Sequence, residues 1–405
     1  MGGRSALSIP PMAILFLIVF IDLVGFGLVI PLLPFYGEAF RAEPGTVTLL
    51  LATYSFGQFL MAPVWGRLSD RHGRKPILLV SLGFSVASYL WLANASALWM
   101  LFAARLLSGA GAGNITAAQA YIADVTPPDR RAKGMGMIGA AFGLGFTIGP
   151  AIGGFIAGDH PGIAELAQPA FVAAGLSALA LLLTLARLPE SLPPESRAGI
   201  SRPRRLALAR EAFRRPALRQ LIILLFVTIA AFAGMESTFA LWAERAFGWG
   251  PQTVGYTFFY VGIVLAAMQG GLVGKLVERF GEARLVTAGA GIIALGLIVV
   301  PLSLRVPLVL VAMGCLAIGM SLLNPSINGL LSLHAAADEQ GGILGVGQSA
   351  SSLARIVGPA VAGQVFDTLG RNAPYFLSAA LMVGVTLLAL RIPRARPAMP
   401  EGGAA

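Results

Sequence analysis

The chain has 405 residues, of which 56% are hydrophobic and only 12% are charged. Soluble domains carry roughly 25% charged residues, so this composition indicates an integral membrane protein. The net charge of +10 does not indicate nucleic-acid binding, because the basic residues lie between apolar segments and do not alternate with aromatic ones. The single cysteine, Cys315, excludes an internal disulfide and a cysteine-based metal site.

Twelve apolar segments are long enough to cross a hydrocarbon core of roughly 30 Å as helices. They predict an all-α membrane protein with twelve transmembrane helices. The first segment has no small-residue cleavage site, so we interpret it as a span and not as a signal peptide. The predicted spans lie near residues 12–36, 46–69, 76–94, 98–122, 134–158, 168–187, 217–244, 251–277, 284–303, 307–333, 341–367 and 373–391.

A charged hairpin at residues 66–76, GRLSDRHGRKP, lies between the second and third spans. Its cationic excess predicts that it faces the cytoplasm. That choice places 23 of the 29 lysines and arginines in loops and termini on the same side, and only four in the opposite loops. Both termini are therefore predicted to be cytoplasmic, in a multi-pass protein of the bacterial inner membrane.

The two halves of the chain repeat each other. GPAIGG at 149–154 recurs as GPAVAG at 358–363, and the glycines and cations of the hairpin recur at 274–281. This repeat predicts two pseudo-symmetric six-helix bundles, related by an axis along the membrane normal. We assign them to residues 1–187 and 217–405, joined by a cytoplasmic linker at 188–216. RPRRLALAREAFRR at 202–215 predicts an amphipathic surface helix within this linker.

Charge inside a membrane span is costly and normally functional, and three of the charged residues there are candidates for proton coupling: Asp22, Arg105 and Glu236. Asp22 lies ~15 Å deep in the first span, and it is either a proton carrier or a structural partner of Arg105. Arg105, in the fourth span, would favour ionisation of a nearby carboxyl group. Glu236, in the seventh span among aromatic residues, suits proton coupling or binding of a cationic amphiphile, or else simply touches water at the interface.

The hairpin also suggests a cytoplasmic gate. Asp70 is an acid in a basic loop, and by pseudo-symmetry we expect it to face the start of the eleventh span near Gly341 and Gly342, whose free N–H groups attract an anion. Arg74 is expected to pair with Asp124. The simpler interpretation is a positively charged anchor. The predicted gate comprises Gly66, Asp70, Arg71, Gly73, Arg74 and Asp124.

Small residues and a proline recur in the fifth span, and they predict close packing against the other half, with the eighth span and its Gly262, Gly270 and Gly271. These residues are Gly145, Gly149, Pro150, Gly153 and Gly154. Polar and aromatic side chains within other spans predict a central substrate cavity, although each one alone is more often a packing residue. They are Phe26, Tyr54, Gln58, Thr116, Gln119, Phe232, Phe239, Phe258, Gln269, Asn324, Asn328, Gln348 and Arg355.

Four segments resemble signatures of the major facilitator superfamily, and within it of the twelve-span drug:proton antiporters of the tetracycline-resistance type. They are GRLSDRHGRKPILL at 66–79, GLGFTIGPAIGG at 143–154, DLVGFGLVIPLLP at 22–34 and RLLSGAGAG at 105–113. The resemblance implies a monomeric transporter that couples proton entry to efflux of small hydrophobic or amphiphilic compounds by alternating access. It implies no cofactor beyond the proton gradient, and it gives Arg105 a role in proton coupling.

The chain departs from the tetracycline pumps at three positions. Those pumps carry an acid in the third span where we align Ser88, a histidine in the eighth near Leu265, and an acid in the ninth, where residues 288–295 offer none. The resemblance therefore implies export and leaves the substrate open. Two alternatives are a facilitator or proton symporter importing a sugar or organic acid, and a non-transporting receptor or scaffold. The sequence contains no segment that resembles a nucleotide-binding loop, a metal cluster or a catalytic triad, so we do not expect an enzyme.

Overall fold

The computed structural model describes residues 11–127, 131–192, 205–336 and 339–392. In these ranges the chain is helical and contains no β-strand. The first eight helices are α1 (Pro11–Val29), α2 (Leu33–Ala39), α3 (Pro44–His72), α4 (Arg74–Ala93), α5 (Leu98–Gly111), α6 (Asn114–Val125), α7 (Arg131–Ala157) and α8 (Ile163–Arg187). Eight more follow: α9 (Arg205–Arg214), α10 (Pro216–Phe247), α11 (Pro251–Ala267), α12 (Val273–Phe280), α13 (Glu282–Leu302), α14 (Val306–Leu333), α15 (Gln340–Leu369) and α16 (Ala373–Ala389).

Each of the twelve predicted spans coincides with one helix or with two consecutive helices. In the described ranges, nine helical stretches are long and apolar enough to cross a membrane, when α1 is counted with α2 and α11 with α12. The other three predicted spans are α5 with α6, α15, and α16, which is apolar but shorter. The predicted linker helix is present as α9, whereas residues 193–204 of the linker and both termini lie outside the described residues.

Three of the predicted spans are interrupted within the membrane-spanning segment. Pro31 and Pro34 lack the N–H group that an α-helix needs, and a 3₁₀ turn at Ile30–Leu32 separates α1 from α2. A π-helical turn at Met268–Leu272 joins α11 to α12. The span predicted at 98–122 is not continuous, because α5 ends at Gly111 and α6 begins at Asn114.

The break between α5 and α6 is stabilised by a side chain of a neighbouring helix. Ser81 of α4 accepts hydrogen bonds from the backbone N–H groups of Gly113, at 3.2 Å, and of Asn114, at 2.9 Å. Its hydroxyl in turn donates to the carbonyl of Gly111. Backbone groups released from a helix inside a membrane require such partners. The break is therefore compatible with burial of this segment.

The helices pack into two groups. Helix α1 packs on α7 and α8, α3 on α5, and α4 on α5 and α8. In the second group, α10 packs on α15 and α16, and α13 on α14 and α16. The groups meet mainly along two pairs of helices, α7 with α11 and α3 with α15. This arrangement is the expected pair of bundles, while the exact boundaries at 187 and 217 stay a prediction.

The two groups are in tight contact at one end of the molecule. We call this the opposite end, because it carries the α4–α5 junction and lies away from the hairpin. Here the backbone N–H of Gly45 donates to the Asp367 carboxylate at 2.8 Å, and Gly363 lies against Thr48. Thr253 donates from its backbone N–H and its hydroxyl to the two oxygens of Asp159, at 2.9 and 3.1 Å.

The end that carries the α3–α4 junction, which we call the hairpin end, is open. A Cβ atom placed on Gly66, Gly274 or Gly341 would meet no described atom within 4 Å beyond its chain neighbours and the backbone of its own helix. The same holds for Gly270 and Gly271, in the π-helical turn of the second group. Among the described residues, the hydrogen bonds that join the two groups therefore lie at the opposite end, and these glycines of the hairpin end have no close neighbour in the other group.

Candidate functional site in the central cavity and at the hairpin

The hairpin is organised around Arg74, whose side chain is only 6% exposed. Its Nη1 donates to Asp70 Oδ1 at 2.6 Å, and its Nε donates to Asp124 Oδ2 at 2.9 Å. Gly73 has φ of +106°, a conformation that a residue with a side chain rarely adopts, and it lets α3 end and α4 begin without an intervening loop. The contact expected between Arg74 and Asp124 is present, and its role in gating stays a prediction.

Glu190 lies outside the hairpin but binds to it, and the sequence analysis did not single it out. It follows α8, and its carboxylate accepts hydrogen bonds from the backbone N–H groups of Arg74, at 2.8 Å, and Lys75, at 3.2 Å. These groups belong to the first turn of α4, which lacks helical acceptors and attracts negative charge. The next residue, Ser191, donates its hydroxyl to Asp124 at 3.0 Å. The beginning of the linker is therefore bonded to the hairpin.

The expected contact between Asp70 and the start of α15 is not made in this conformation. Asp70 is bonded to Arg74, and the space around Gly341 is open, because the two helix groups are apart at the hairpin end. The start of α15 instead has its own carboxylate, Glu339, which accepts two hydrogen bonds from the Arg215 guanidinium, at 2.7 and 3.1 Å. These bonds hold the pKa of the Glu339 carboxyl below its ordinary value. Arg71 is exposed.

The glycines of α7 divide between two partners. Gly145, Gly149 and Gly153 lie against α1, where Leu23, Gly27 and Leu28 are their nearest neighbours. Only Gly154 and the backbone of Pro150 reach α11 in the other group, at Pro251 and Gly255. The expectation that the whole motif packs on the eighth span is therefore wrong for those three glycines. Gly262 of α11 does pack on Thr147 of α7, but Gly270 and Gly271, in the π-helical turn that follows α11, do not contact α7.

Asp22 is buried in the first bundle, with 6% exposure. Its carboxylate accepts a hydrogen bond from the Asn114 side-chain amide at Oδ2, and one from the Ser177 hydroxyl at Oδ1, at 3.4 Å. Asn114 is the first residue of α6, so the break between α5 and α6 is what presents it to Asp22. The structure does not pair Asp22 with Arg105. The structural role considered for Asp22 is therefore fulfilled by other partners in this conformation.

Arg105 is buried in α5, with 2% exposure, and it lies against aromatic rings. Its guanidinium carbon is 4.7 Å from the centroid of the Tyr54 ring and 5.6 Å from that of Phe26. Within the described part of the chain, its Nε and Nη1 atoms have no hydrogen-bond acceptor. Arg105 is therefore a buried cation that is held by π faces and that lacks an anion.

Glu236 lines a cavity of about 30 Å³ between the two helix groups, which has room for roughly one water molecule. The other lining residues are Gly27, Ile30, Pro31, Phe146, Pro150 and Phe258. Glu236 is half-buried and lies within electrostatic range of Arg355 on α15. Arg355 is also within electrostatic range of Tyr54.

The other predicted cavity residues fall into three sets. Phe239 is fully buried beside Trp242, Trp249 and Phe258, so in this conformation it belongs to the core of the second bundle and lines no open surface. Gln58, Phe232 and Asn324 are half-buried, and the Asn328 amide donates to the Asn324 side chain at 3.0 Å. The exposed members of the predicted set are Thr116, Gln119, Gln269, Asn328, Gln348 and Arg355.

Comparison with known proteins identifies the family. The family description "Major Facilitator Superfamily" matches residues 15–359 and 270–405. The chain belongs to the major facilitator superfamily. It is 31% identical to the class C tetracycline resistance protein of Escherichia coli, over 93% of this chain and 94% of that protein. It is 29% identical to multidrug resistance protein 2 of Bacillus subtilis, over 91% and 92% of the two chains.

Solved structures agree with this assignment. The crystal structure of the human organic anion transporter MFSD10 (TETRAN) is 26% identical to this chain, with a TM-score of 0.71, and covers 94% of this chain and 100% of that one. The protein is therefore a multi-span membrane transporter with the major facilitator fold, and it is not an enzyme.

Three residues contact the candidate site although they were not among the predicted site residues. Asn114 and Ser177 bind Asp22, and Phe146 lies between the Phe26 ring, at 5.6 Å, and the Glu236 cavity. A signal for Asn114 was present, since an amide inside an apolar span must bind another polar group. Ser177 and Phe146 gave none, because a serine or phenylalanine in a membrane helix is usually a packing residue.

Proposed function

We propose that this transporter exports small hydrophobic or amphiphilic compounds across the cytoplasmic membrane, and that inward proton flow drives the export by alternating access. The names of its relatives support efflux, because tetracycline and multidrug resistance proteins match nearly the whole chain. Those names, together with an organic anion transporter, cover several kinds of cargo, so they do not select one.

The observation that carries the proposal is the asymmetry between the two ends. The helix groups touch at the opposite end through Gly45 and Asp367 and through Thr253 and Asp159, and they are apart at the hairpin end. A transporter that exposes its centre to one side at a time needs two such ends that close in turn. The excess of Lys and Arg on the hairpin side assigns that end to the cytoplasm. This conformation is then open to the cytoplasm, with both termini on that side.

Asp22 is the proposed proton carrier. It is a carboxylic acid buried among helices of the first bundle, and its ionised form loses hydration there. Its bonds with Asn114 and Ser177 connect α1 to α6 and α8, so a change in its charge acts on the contacts among three helices. Glu236, at the junction of the two groups, is a second candidate carrier. Only differential affinity of the proton and the substrate for the two conformations can drive the cycle.

The test uses purified protein in sealed proteoliposomes that contain a pH-sensitive dye. Amphiphilic compounds of positive, neutral and negative charge, with tetracycline among them, are added one at a time to vesicles without an imposed gradient. We expect at least one compound to move protons in the opposite direction to its own movement, and protein-free vesicles to show no such exchange. Movement of a compound down its gradient without any proton exchange would instead identify a facilitator and contradict the proposal.

A further inference from the structure

The charge on Arg105 is not offset by any described carboxylate. Withdrawing a guanidinium from water is costly, and it is compensated only when anions or acceptors surround the group. The Tyr54 and Phe26 rings provide cation–π attraction, but they accept no N–H hydrogen bond from Nε or Nη1. The ionisable groups in electrostatic range of Arg105 are Tyr54 and Tyr89, and phenols are neutral at physiological pH.

The acids of the cavity are already engaged. Asp22 binds Asn114 and Ser177 through its two oxygens, and Glu236 has Arg355 as its electrostatic partner. Arg355 therefore has a carboxylate within electrostatic range, whereas none of the described carboxylates lies within such range of Arg105. A buried cation with free donors is a site for an anion, and the described chain supplies none.

The side chains next to Arg105 are aromatic. The Phe26 ring is 4.8 Å from Tyr54 and 5.6 Å from Phe146, between ring centroids. All three side chains are half-buried, and Phe146 lines the space next to Glu236. The space here holds about one water molecule in this conformation, so a ligand enters only when these side chains move apart. Their aromatic faces then stack on its ring system while an attached acidic group pairs with the guanidinium.

We propose that the exported compound is an amphiphilic organic anion, whose apolar ring system packs against Phe26, Tyr54 and Phe146 and whose carboxylate pairs with Arg105. This inference rests on the proposed function in one respect, since it takes the ligand of this site to be the exported compound. It replaces the cationic amphiphile that Glu236 alone suggests, because Glu236 already has a cation beside it whereas Arg105 has no anion.

The first experiment measures binding by titration calorimetry to the purified full-length protein in detergent. The probes share one ring system and differ in charge: 2-naphthoate, 2-naphthamide and 2-naphthylmethylammonium. We expect 2-naphthoate to bind at least tenfold more tightly than either of the others, because a charge-assisted pair with a desolvated guanidinium typically changes affinity by about that factor or more. Tighter binding of the ammonium compound, or equal binding of all three, overturns the proposal.

Variants then locate the charge. Arg105→Gln should weaken 2-naphthoate binding about tenfold or more and leave 2-naphthamide unchanged, while Arg105→Lys should restore part of the preference. Arg279→Gln is the matched variant, because Arg279 also lies over an aromatic ring, that of Phe280, but outside the cavity, and it should retain the preference for the anion. If Arg279→Gln removes the preference and Arg105→Gln does not, the assignment to Arg105 is wrong. Melting curves identify variants that fail to fold. If Arg105→Gln does not fold, the anion site is tested by Arg105→Lys and by the three probes on the unsubstituted protein.

The binding measurement requires no gradient, so its result is independent of proton coupling. A protein that prefers 2-naphthoate through Arg105 but exchanges no protons contradicts the proposed function and supports the anion site. A protein that exchanges protons for its substrates but binds 2-naphthoate no better than 2-naphthamide contradicts the anion site and leaves the export proposal intact.

Discussion

The backbone N–H of Gly45 donates to the carboxylate of Asp367 at 2.8 Å and thereby joins the start of α3 in one bundle to the end of α15 in the other. The approach is close enough that a Cβ atom on Gly45 would collide with that carboxylate. Together with Gly363 packed on Thr48, this contact closes the opposite end. The closed end therefore depends on the absence of side chains at two positions.

Substitution of Gly45 by valine should weaken closure of the opposite end. The added side chain needs the space that Asp367 occupies, so the conformation seen here loses stability relative to one in which α3 and α15 are apart. Spin labels at Glu43 and Leu369, in a background without Cys315, report the distance between these helices. We expect the distribution to shift to longer distances.

The control for this substitution is Gly175→Ala in α8, where a Cβ would meet no other described atom within 4 Å. That change should leave the distance distribution as it is in the unsubstituted protein. If Gly45→Val also leaves it unchanged, the Gly45–Asp367 contact does not determine closure.

Removal of the Glu190 carboxylate should destabilise the hairpin. Glu190 accepts the N–H groups of Arg74 and Lys75 at the start of α4, and a capping acceptor of this kind contributes about 0.5–1 kcal/mol at an exposed position. We expect Glu190→Gln to lower the melting temperature, since an amide oxygen carries no charge to interact with the helix dipole.

Glu278→Gln on α12 is the matched change, because Glu278 is also exposed but forms no hydrogen bond or ion pair within the described chain. Melting temperatures of both variants are compared with that of the unsubstituted protein by intrinsic fluorescence. Equal effects of the two changes would show that Glu190 acts only through net charge and not as a cap.

The Arg215–Glu339 pair should make stability depend on pH in the acidic range. Hydrogen bonds from Arg215 lower the pKa of Glu339 in the folded protein from an ordinary value of 4.5. A group with a depressed folded pKa contributes its stability above the unfolded pKa and loses it as the pH falls through the folded value. The difference in melting temperature between the unsubstituted protein and Glu339→Gln should therefore be largest near pH 7 and shrink below pH 4.5. A difference that grows on acidification contradicts this assignment.

The sequence predicted two kinds of feature: those that follow from the length of an apolar segment, and those that follow from charges at the ends of helices. Twelve spans follow from twelve apolar segments, and the Arg74–Asp124 pair follows because both residues terminate spans on the same side. It missed Glu190, because an acid just beyond a span gives no sign of which helix end it will cap. It also treated 98–122 as one helix, although the sequence Gly111-Ala112-Gly113 interrupts it.

Contacts between helices were the less predictable part of the site. The glycine repeat of α7 indicated close packing but not the neighbour, and three of its glycines contact α1 instead of α11. A structural pairing with Arg105 was one of the two roles considered for Asp22, because both are charges inside spans, yet Asp22 accepts its hydrogen bonds from Asn114 and Ser177. The partner of a buried charge depends on helix rotation, which hydrophobic patterns alone do not determine.

The central claim is that Asp22 couples proton entry to export, and the most direct measurement compares two assays in the same proteoliposomes. One assay follows uptake of a transported compound driven by a pH gradient, and the other follows exchange of labelled for unlabelled compound without a gradient. For Asp22→Asn we expect loss of the gradient-driven uptake with retention of exchange, because an amide neither binds nor releases a proton at these pH values but leaves the cavity intact. Gradient-driven uptake by Asp22→Asn at the rate of the unsubstituted protein would contradict the assignment.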